Sequence, residues 1–478
     1  MPGRPGVSVS LLDQATPVSV SVDTGTWFAA GTTDRGPSNV ATLIQSLDQF
    51  TTLYGARQSY SVLYDAVETF FREGGQRVYI GRVVGPGATS GFINLNDAGA
   101  AISLVATALG PGAWSANYKV GVVAGGAAGT FQIQVTDLSN VVLEQSSDLA
   151  NQGAAVAWSQ YSSYIRITIG ASANNPANVA PAVMSAGNDQ RATITDTEWA
   201  NALALFTPGL GPGQVSEPGR TSAVAHGQLK THAEANVRVY LADLPDSATV
   251  ATLLSSAGDS ISRFGASFAP WVVIPGITVG TTRIIPPSAF VAGVIARNDP
   301  SYGTNMPAAG NLGQALFATD LSQVDWSDAN RTTLNSGAVN VIRRLYGGVR
   351  IYGWRSLVNP TSDPSWVDFG NGRLYMDLAA ELNLVGENFM FNEIDGQNGT
   401  TISAFHDALA GQLMGHYNAG EFFGDSSADA FAVDTGPAVN TLQTIANNEL
   451  HAVCRVKMAP FAELVVIQIV KRQVTQQL

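Results

Sequence analysis

Ser59-Tyr60-Ser61-Val62-Leu63-Tyr64-Asp65-Ala66-Val67-Glu68-Thr69-Phe70-Phe71-Arg72-Glu73-Gly74-Gly75-Gln76-Arg77-Val78-Tyr79-Ile80-Gly81-Arg82-Val83 holds two periodicities in succession. Leu63, Val67, Phe70 and Phe71 recur at helical spacing, Ser59 or Ser61 offers an N-cap, and Gly74-Gly75 supplies a stop, which predicts a helix over about 59–73. Arg77 to Val83 then reads as a strand. Upstream, Thr26-Trp27-Phe28-Ala29-Ala30-Gly31 is a candidate buried strand, and Asp34-Arg35-Gly36-Pro37 marks a loop. Strand, loop, helix and strand in that order predict an α/β unit.

The same texture returns downstream. Asn236 to Leu244 reads as a strand, residues 247–257 as a helix, and Ala269 to Pro275 as another strand. Between 86 and 190 it is interrupted by short β-like runs, Phe131-Gln132-Ile133-Gln134-Val135 and Tyr164-Ile165-Arg166-Ile167-Thr168-Ile169, separated by turns rich in Gly, Ala, Ser and Asn. This segment is expected to be a β-rich insertion.

Both ends are strand-like. Val18-Ser19-Val20-Ser21-Val22 alternates with period two. Near the other end, Leu450, Ala452, Cys454, Val456 and Met458 alternate with His451, Arg455 and Lys457. The run Leu464-Val465-Val466-Ile467-Gln468-Ile469-Val470 is apolar on both faces, so as a strand it would need cover on both sides or a partner.

At 478 residues the chain has room for about three domains. Charged residues are 13% of it, against about 25% for solitary soluble domains, which suits a surface covered by other subunits; an Ala- and Gly-rich composition is also what a GC-rich genome produces. A net charge of −12 argues against a nucleic-acid coat or an anionic-membrane binder, which need clustered Lys and Arg. The basic pairs Arg343-Arg344 and Lys471-Arg472 read as solvated or salt-bridged faces. Met1 to Val7 has no apolar signal core, and no run approaches the roughly 20 apolar residues of a membrane span, so the product is expected to stay in the cytoplasm where it is made. The single cysteine, Cys454, cannot close an intrachain disulfide and is expected to be a buried, inert thiol on an apolar strand face.

Chemistry-bearing motifs are sparse. The glycine-rich stretch Gly121 to Gly129 lacks the lysine of a P-loop, no Gly-x-Ser-x-Gly elbow occurs, and the five histidines include no i, i+4 pair. Glu393, Asp395 and Asn398 lie in a glycine-containing stretch without the spacing of a calcium hand, and read as a turn. Asp243 closes a strand and reads as a turn former before Leu244-Pro245. Trp354, Trp366, Tyr346, Tyr352 and Tyr375 are assigned to core packing and subunit contact rather than to a stacking platform. No catalytic, cofactor-binding or metal residue is expected and no cofactor; a Ser/His/Asp set assembled from distant positions stays open.

Several strings, in this order, resemble the contractile tail sheath family of myophages and related injection machines. They are Pro5-Gly6-Val7-Ser8-Val9; Asp34-Arg35-Gly36-Pro37; Phe50-Thr51-Thr52-Leu53-Tyr54-Gly55 with Val67 to Val83; Ile285-Pro286-Pro287-Ser288-Ala289-Phe290-Val291-Ala292-Gly293-Val294-Ile295-Ala296-Arg297-Asn298-Asp299; Met306-Pro307-Ala308-Ala309-Gly310-Asn311; Asn340 to Arg344; and Gly348 to Leu357. Ser356 stands where the family usually has Thr. The resemblance implies a mixed α/β, multi-domain, non-enzymatic structural subunit. Its expected parts are an N-terminal arm (1–25) joining an inner domain, a subtilisin-like α/β middle domain (26–85 and 191–330), the β-rich outer insertion (86–190) and a C-terminal inner, tube-facing domain (331–478). Such a subunit polymerises with itself as stacked hexameric rings around an inner tail tube, contacts baseplate and tail terminator proteins, and contracts to drive the tube through a target envelope. It needs neither direct nucleic-acid contact nor membrane insertion. With the patterning at both ends, the resemblance makes Val18, Val20 and Val22, and Leu464, Val465, Val466, Ile467 and Ile469, candidates for strand exchange between subunits. A virion sheath and a tailocin or injection-system sheath fit equally. A hydrolase on the subtilisin-like topology and a carbohydrate-binding role for 86–190 are the readings from other classes.

Overall fold

The computed structural model describes residues 22–323, 325–395 and 399–467. They form two compact units, Asp23–Asp377 with 461–467, and Val22 with Leu378–Pro460.

In the first unit, strand β1 (Trp27–Gly31) is buried along its whole length, as a central parallel strand with cover on both faces must be. β2 (Thr42–Ile44), α1 (Leu47–Tyr54) and α2 (Leu63–Arg72) follow, and β3 (Val78–Arg82) pairs in parallel with β1, Trp27 opposite Val78. The expected strand-helix-strand unit is therefore present. α2 is shorter than expected: Ser61 Oγ accepts the Leu63 N–H at 3.2 Å just before the helix, while Ser59 lies in a turn. α1, capped by Ser46 and burying Phe50 and Tyr54, was not anticipated from the sequence.

Residues 92–183 supply β4 (Phe92–Asn96), β5 (Ile102–Ala108), β6 (Tyr118–Ala124), β7 (Phe131–Asp137), β8 (Val142–Gln145), α3 (Gln152–Ser159), β9 (Ile165–Ile169) and β10 (Val179–Val183). They make two antiparallel sheets, ordered β10-β6-β7-β8 and β4-β5-β9, around a separate core that includes Leu104, Val120, Ile133 and Ile167. Two arginines tie this region to the loop after β1. Arg82, buried, donates to the carbonyls of Gly36 (2.7 Å) and Pro111 (2.9 Å), and Arg35 sits among the rings of Trp114, Tyr118 and Tyr164.

The chain then runs through α4 (Asp196–Ala204), β11 (Gln214–Ser216), α5 (Ala223–Asn236), β12 (Val239–Asp243), α6 (Val250–Ala257), β13 (Gly265–Ala269), β14 (Val272–Pro275), β15 (Thr282–Ile285), α7 (Pro287–Tyr302), β16 (Asp320–Leu321), α8 (Asp328–Ser336), β17 (Val339–Leu345) and β18 (Gly348–Ile351). The main sheet has the order β18-β17-β13-β12-β11-β1-β3-β2, parallel from β17 to β3. The stretch 269–275, read as one strand, is divided: β13 ends at Ala269 in the main sheet, and β14 starts a separate sheet with β15 and β16. Residues after 331, expected to open the C-terminal domain, still belong to this body. β17 pairs with β13, Ser267 opposite Val339, and Val339, Val341 and Ile342 lie in the same core as β1, so the compact units divide between Asp377 and Leu378.

That division falls within α9 (Phe369–Glu387). The second unit continues with α10 (Thr400–Asn418), α11 (Ser427–Ala430), β19 (Phe431–Asp434), α12 (Leu442–Ala446) and β20 (Val453–Val456). β19 and β20 form a two-stranded antiparallel sheet, Phe431 opposite Val456. The alternation read around Cys454 holds: Ala452, Cys454, Val456 and Met458 are half-buried while His451, Arg455 and Lys457 are exposed. Leu450, Ala452 and Cys454 pack on Val385, Phe405 and Leu409, and burial pushes the Cys454 thiol up from its ordinary pKa.

Candidate functional site: the motif junction and the chain ends

Two strings more than two hundred residues apart meet where α2 crosses α7. Gly293 lies so close to α2 that a Cβ there would stand 2.7 Å from Glu73 Cβ and 2.8 Å from the Phe70 carbonyl oxygen, contacts no side chain tolerates. Glu73 ends α2 with no exposure, and its carboxylate accepts the backbone N–H groups of Leu316 (2.7 Å), Phe317 (2.9 Å) and Ala318 (2.9 Å). Burial raises its pKa, opposed by those three bonds and by the nearby Arg297 charge. Arg297 of α7 donates to the Glu73 carbonyl at 2.9 Å and to the Gln314 carbonyl at 2.7 Å. Two residues on, Asp299 accepts from Arg373 Nη2 (2.5 Å) and Thr24 Oγ1 (2.8 Å), a pair almost entirely out of water.

Asp243 has a different job from the one its position suggested. α7 begins at Pro286-Pro287, whose side chains cannot cap it. The buried Asp243 carboxylate does so from the end of β12: Oδ1 accepts the Ser288 N–H at 2.9 Å, and Oδ2 accepts the Ser288 hydroxyl at 2.7 Å and the Gly219 N–H at 3.0 Å. Burial nevertheless pushes its pKa up to about 6. His226 is adjacent, but its Nε2 faces the Asp243 carbonyl oxygen at 2.9 Å, not the Ser288 hydroxyl. Serine, histidine and aspartate are thus together, all buried, in the geometry of a helix cap and a backbone tie, with no imidazole placed to take the serine proton.

The chain ends are the inverse of this polar junction. Phe461 packs on the main core, and Glu463 is clamped by Arg355, with Nε to Oε1 at 2.9 Å and Nη2 to Oε2 at 2.5 Å. The chain then emerges: Leu464, Val465, Val466 and Ile467 are 80, 72, 73 and 79% exposed and belong to no strand. Val22 is half-buried, also outside a strand; Val18, Val20 and Ile469 lie outside the described residues. The candidate exchange residues that are described are therefore not brought together into a sheet within the single chain.

Solved structures share this architecture along nearly its whole length. A sheath tail protein from Listeria innocua is 12% identical, with a TM-score of 0.62 over 88% of this chain and 90% of its own. The helical sheath of the anti-feeding prophage in its contracted state is 16% identical, with a TM-score of 0.55 over 99% of this chain and 100% of that one. The PVC sheath complex of an extracellular contractile injection system, also contracted, gives 15% identity and a TM-score of 0.56 over 99% and 98%. The chain has the fold of tail sheath proteins. No protein-family model and no curated protein matches its sequence.

Within this sheath fold the remaining sequence candidates take structural places. Asp395 accepts from the Thr400 hydroxyl and from the N–H groups of Thr400 (3.3 Å) and Thr401 (3.1 Å) at the start of α10, which holds its carboxyl below the usual range, so this acidic residue caps a helix. The aromatic set divides. Trp354 is buried against Phe268 and Phe369, Trp366 and Tyr375 flank Arg263, and Tyr346 and Tyr352 are exposed beside Arg350 and Arg343. One cluster had no sequence reading at all: His416 of α10, largely buried, lies between Glu381 of α9 and Glu421 after α10. The spacing of Gln412, His416 and Glu421 was a signal for one helix face and its end. Glu381, 35 positions away, was not within reach of any periodicity argument.

Proposed function

We propose that the chain is the structural subunit of a contractile tail sheath, polymerising around an inner tube in an extended state and contracting to drive that tube through a target cell envelope. The observation that carries this reading is the four-residue apolar run Leu464 to Ile467, held out from the body by the Arg355–Glu463 clamp in a chain with the sheath fold. An exposed run of this kind is costly to a solitary protein and useful to one that donates a strand. The receiving element would be the β19–β20 sheet of another copy: among the described residues these strands pair only with each other, and a two-stranded sheet is marginal in water until it is extended. Val18 to Val22 and Leu464 to Ile469 would then be the added strands. Backbone bonding of this type survives while rigid units swing, which gives a hinge.

In this reading the subunits stack as hexameric rings, contact the inner tube through the C-terminal unit, and meet baseplate and terminator proteins at the two ends of the tail. An injection-system sheath is the second form of the same function, favoured by likeness to the AFP and PVC chains over 99% of this chain. Negative-stain microscopy of the purified full chain tests the proposal: sheath tubes of two lengths and widths are expected. Removal of residues 1–22 should abolish them while leaving a folded monomer, and normal-length sheaths from that truncation would sink the strand-exchange account.

A further inference from the structure

Both ring nitrogens of His416 face carboxylates. Nδ1 is 2.5 Å from Glu421 Oε2 and Nε2 is 2.7 Å from Glu381 Oε2. A neutral imidazole has one N–H, and its bare nitrogen turned towards a carboxylate would set lone pair against lone pair. With both glutamates ionised, the two contacts are favourable together only when both nitrogens are protonated. The surroundings fit a fixed cation. Gln412, neutral and one turn earlier on α10, donates to the same Glu381 oxygen at 2.6 Å, and the Phe422 ring stacks on the imidazole at 5.7 Å between centroids. Among the described residues the charged groups facing the ring are Glu381 from α9 and Glu421 from the turn.

That turn leads to the sheet. The Glu421 carbonyl accepts the Ala459 N–H at 2.9 Å, the Phe423 N–H donates to the Lys457 carbonyl at 2.8 Å, and Phe422 bridges Met458, so residues 421–423 run beside residues 457–459, which follow β20 directly. We propose that His416 is an imidazolium throughout the neutral pH range, a positioning residue that pins residues 421–423 against residues 457–459, just past β20, and so fixes the geometry of the β19–β20 sheet. The charge state stands independently of any assembly; its use in the sheath rests on the strand-addition reading above.

A pH signature follows. Burial pushes the imidazole pKa down, but the hydrogen bonds and charges of Glu381 and Glu421 outweigh it and hold the group at about 10, against about 6.5 for an unperturbed histidine. Below the ordinary value both folded and unfolded chains carry the proton and the clamp contributes fully. Above it the unfolded chain releases its proton while the folded chain keeps it, so stability falls steadily as pH rises through about 10.

The test is ring-nitrogen NMR on the full chain labelled at histidine, with the His416 signals assigned by their loss in His416→Gln. Two protonated nitrogens that do not titrate between pH 5 and 9 are expected. Titration of His416 in that range, or one bare nitrogen at pH 7, overturns the charge state. For positioning, amide exchange at Phe423 and Ala459 in His416→Gln should accelerate at least tenfold, and unchanged protection overturns it. Should that variant not fold, the wild-type chain carries the same test: these two amides should lose protection from pH 7 to 10 beyond the intrinsic rise in exchange, and constant protection overturns positioning. Wild-type chains that meet both expectations yet form no sheaths would count against the assembly reading alone.

Discussion

The crossing of α2 and α7 and the run Leu464 to Ile467 both invert the usual distribution of residues. At the crossing, charged groups are inside: Glu73 and Arg373 have no exposure, and Asp299 almost none. They persist there because each meets a partner, three peptide N–H groups for Glu73 and an ion pair for Asp299. In the C-terminal run, four large aliphatic side chains are mostly exposed. The first inversion is completed within one chain and makes a rigid body. In the proposed sheath the second would be completed by another chain, which would separate a part that stays intact during contraction from a part that is shared.

The largest effect should come from removing the run proposed to be shared. Deleting 464–478 is expected to abolish tubes in electron micrographs while leaving the circular dichroism spectrum of the monomer in place; tubes of normal length would break the contrast. Next, Glu73→Ala strands three backbone N–H groups and a nearby arginine, and a loss of about 3–5 kcal/mol in denaturant titrations is expected. Gly293→Val forces α7 away from α2 at a point where backbone meets backbone, with an expected cost of about 1–3 kcal/mol and a lowered thermal midpoint. The smallest monomer effect is expected for Val465→Ser, within about 0.5 kcal/mol by the same titration, since its side chain is already in water. A larger destabilisation would mean that the run packs on its own chain, and would erase the distinction between the two regions.

Much of the fold was legible because its signals are local. Phe70 and Phe71 with Gly74-Gly75 announced a helix and its end, the alternation around Cys454 announced β20, and the 86–190 texture announced a β-rich region with a core of its own. Misreadings occurred where a boundary depended on pairing. Nothing in the apolar run 269–275 says that it changes sheets after Ala269, and nothing in Asn340 to Arg344 says that it lies beside β13. The apolar character of the candidate exchange residues was legible, and the exposure of Leu464 to Ile467 emerged only from the packed chain.

By itself, then, the sequence determined the periodicities, the turns and the shortage of charge, because these depend on residues within a turn or two of one another. Only the tertiary structure decided that Gly293 is small to admit Glu73, that Asp243 caps a helix from a distant strand, and that His416 lies between Glu381 and Glu421. Those roles depend on distances across the fold, and burial turns a polar side chain into either a liability or a joint according to what stands within about 3 Å of it.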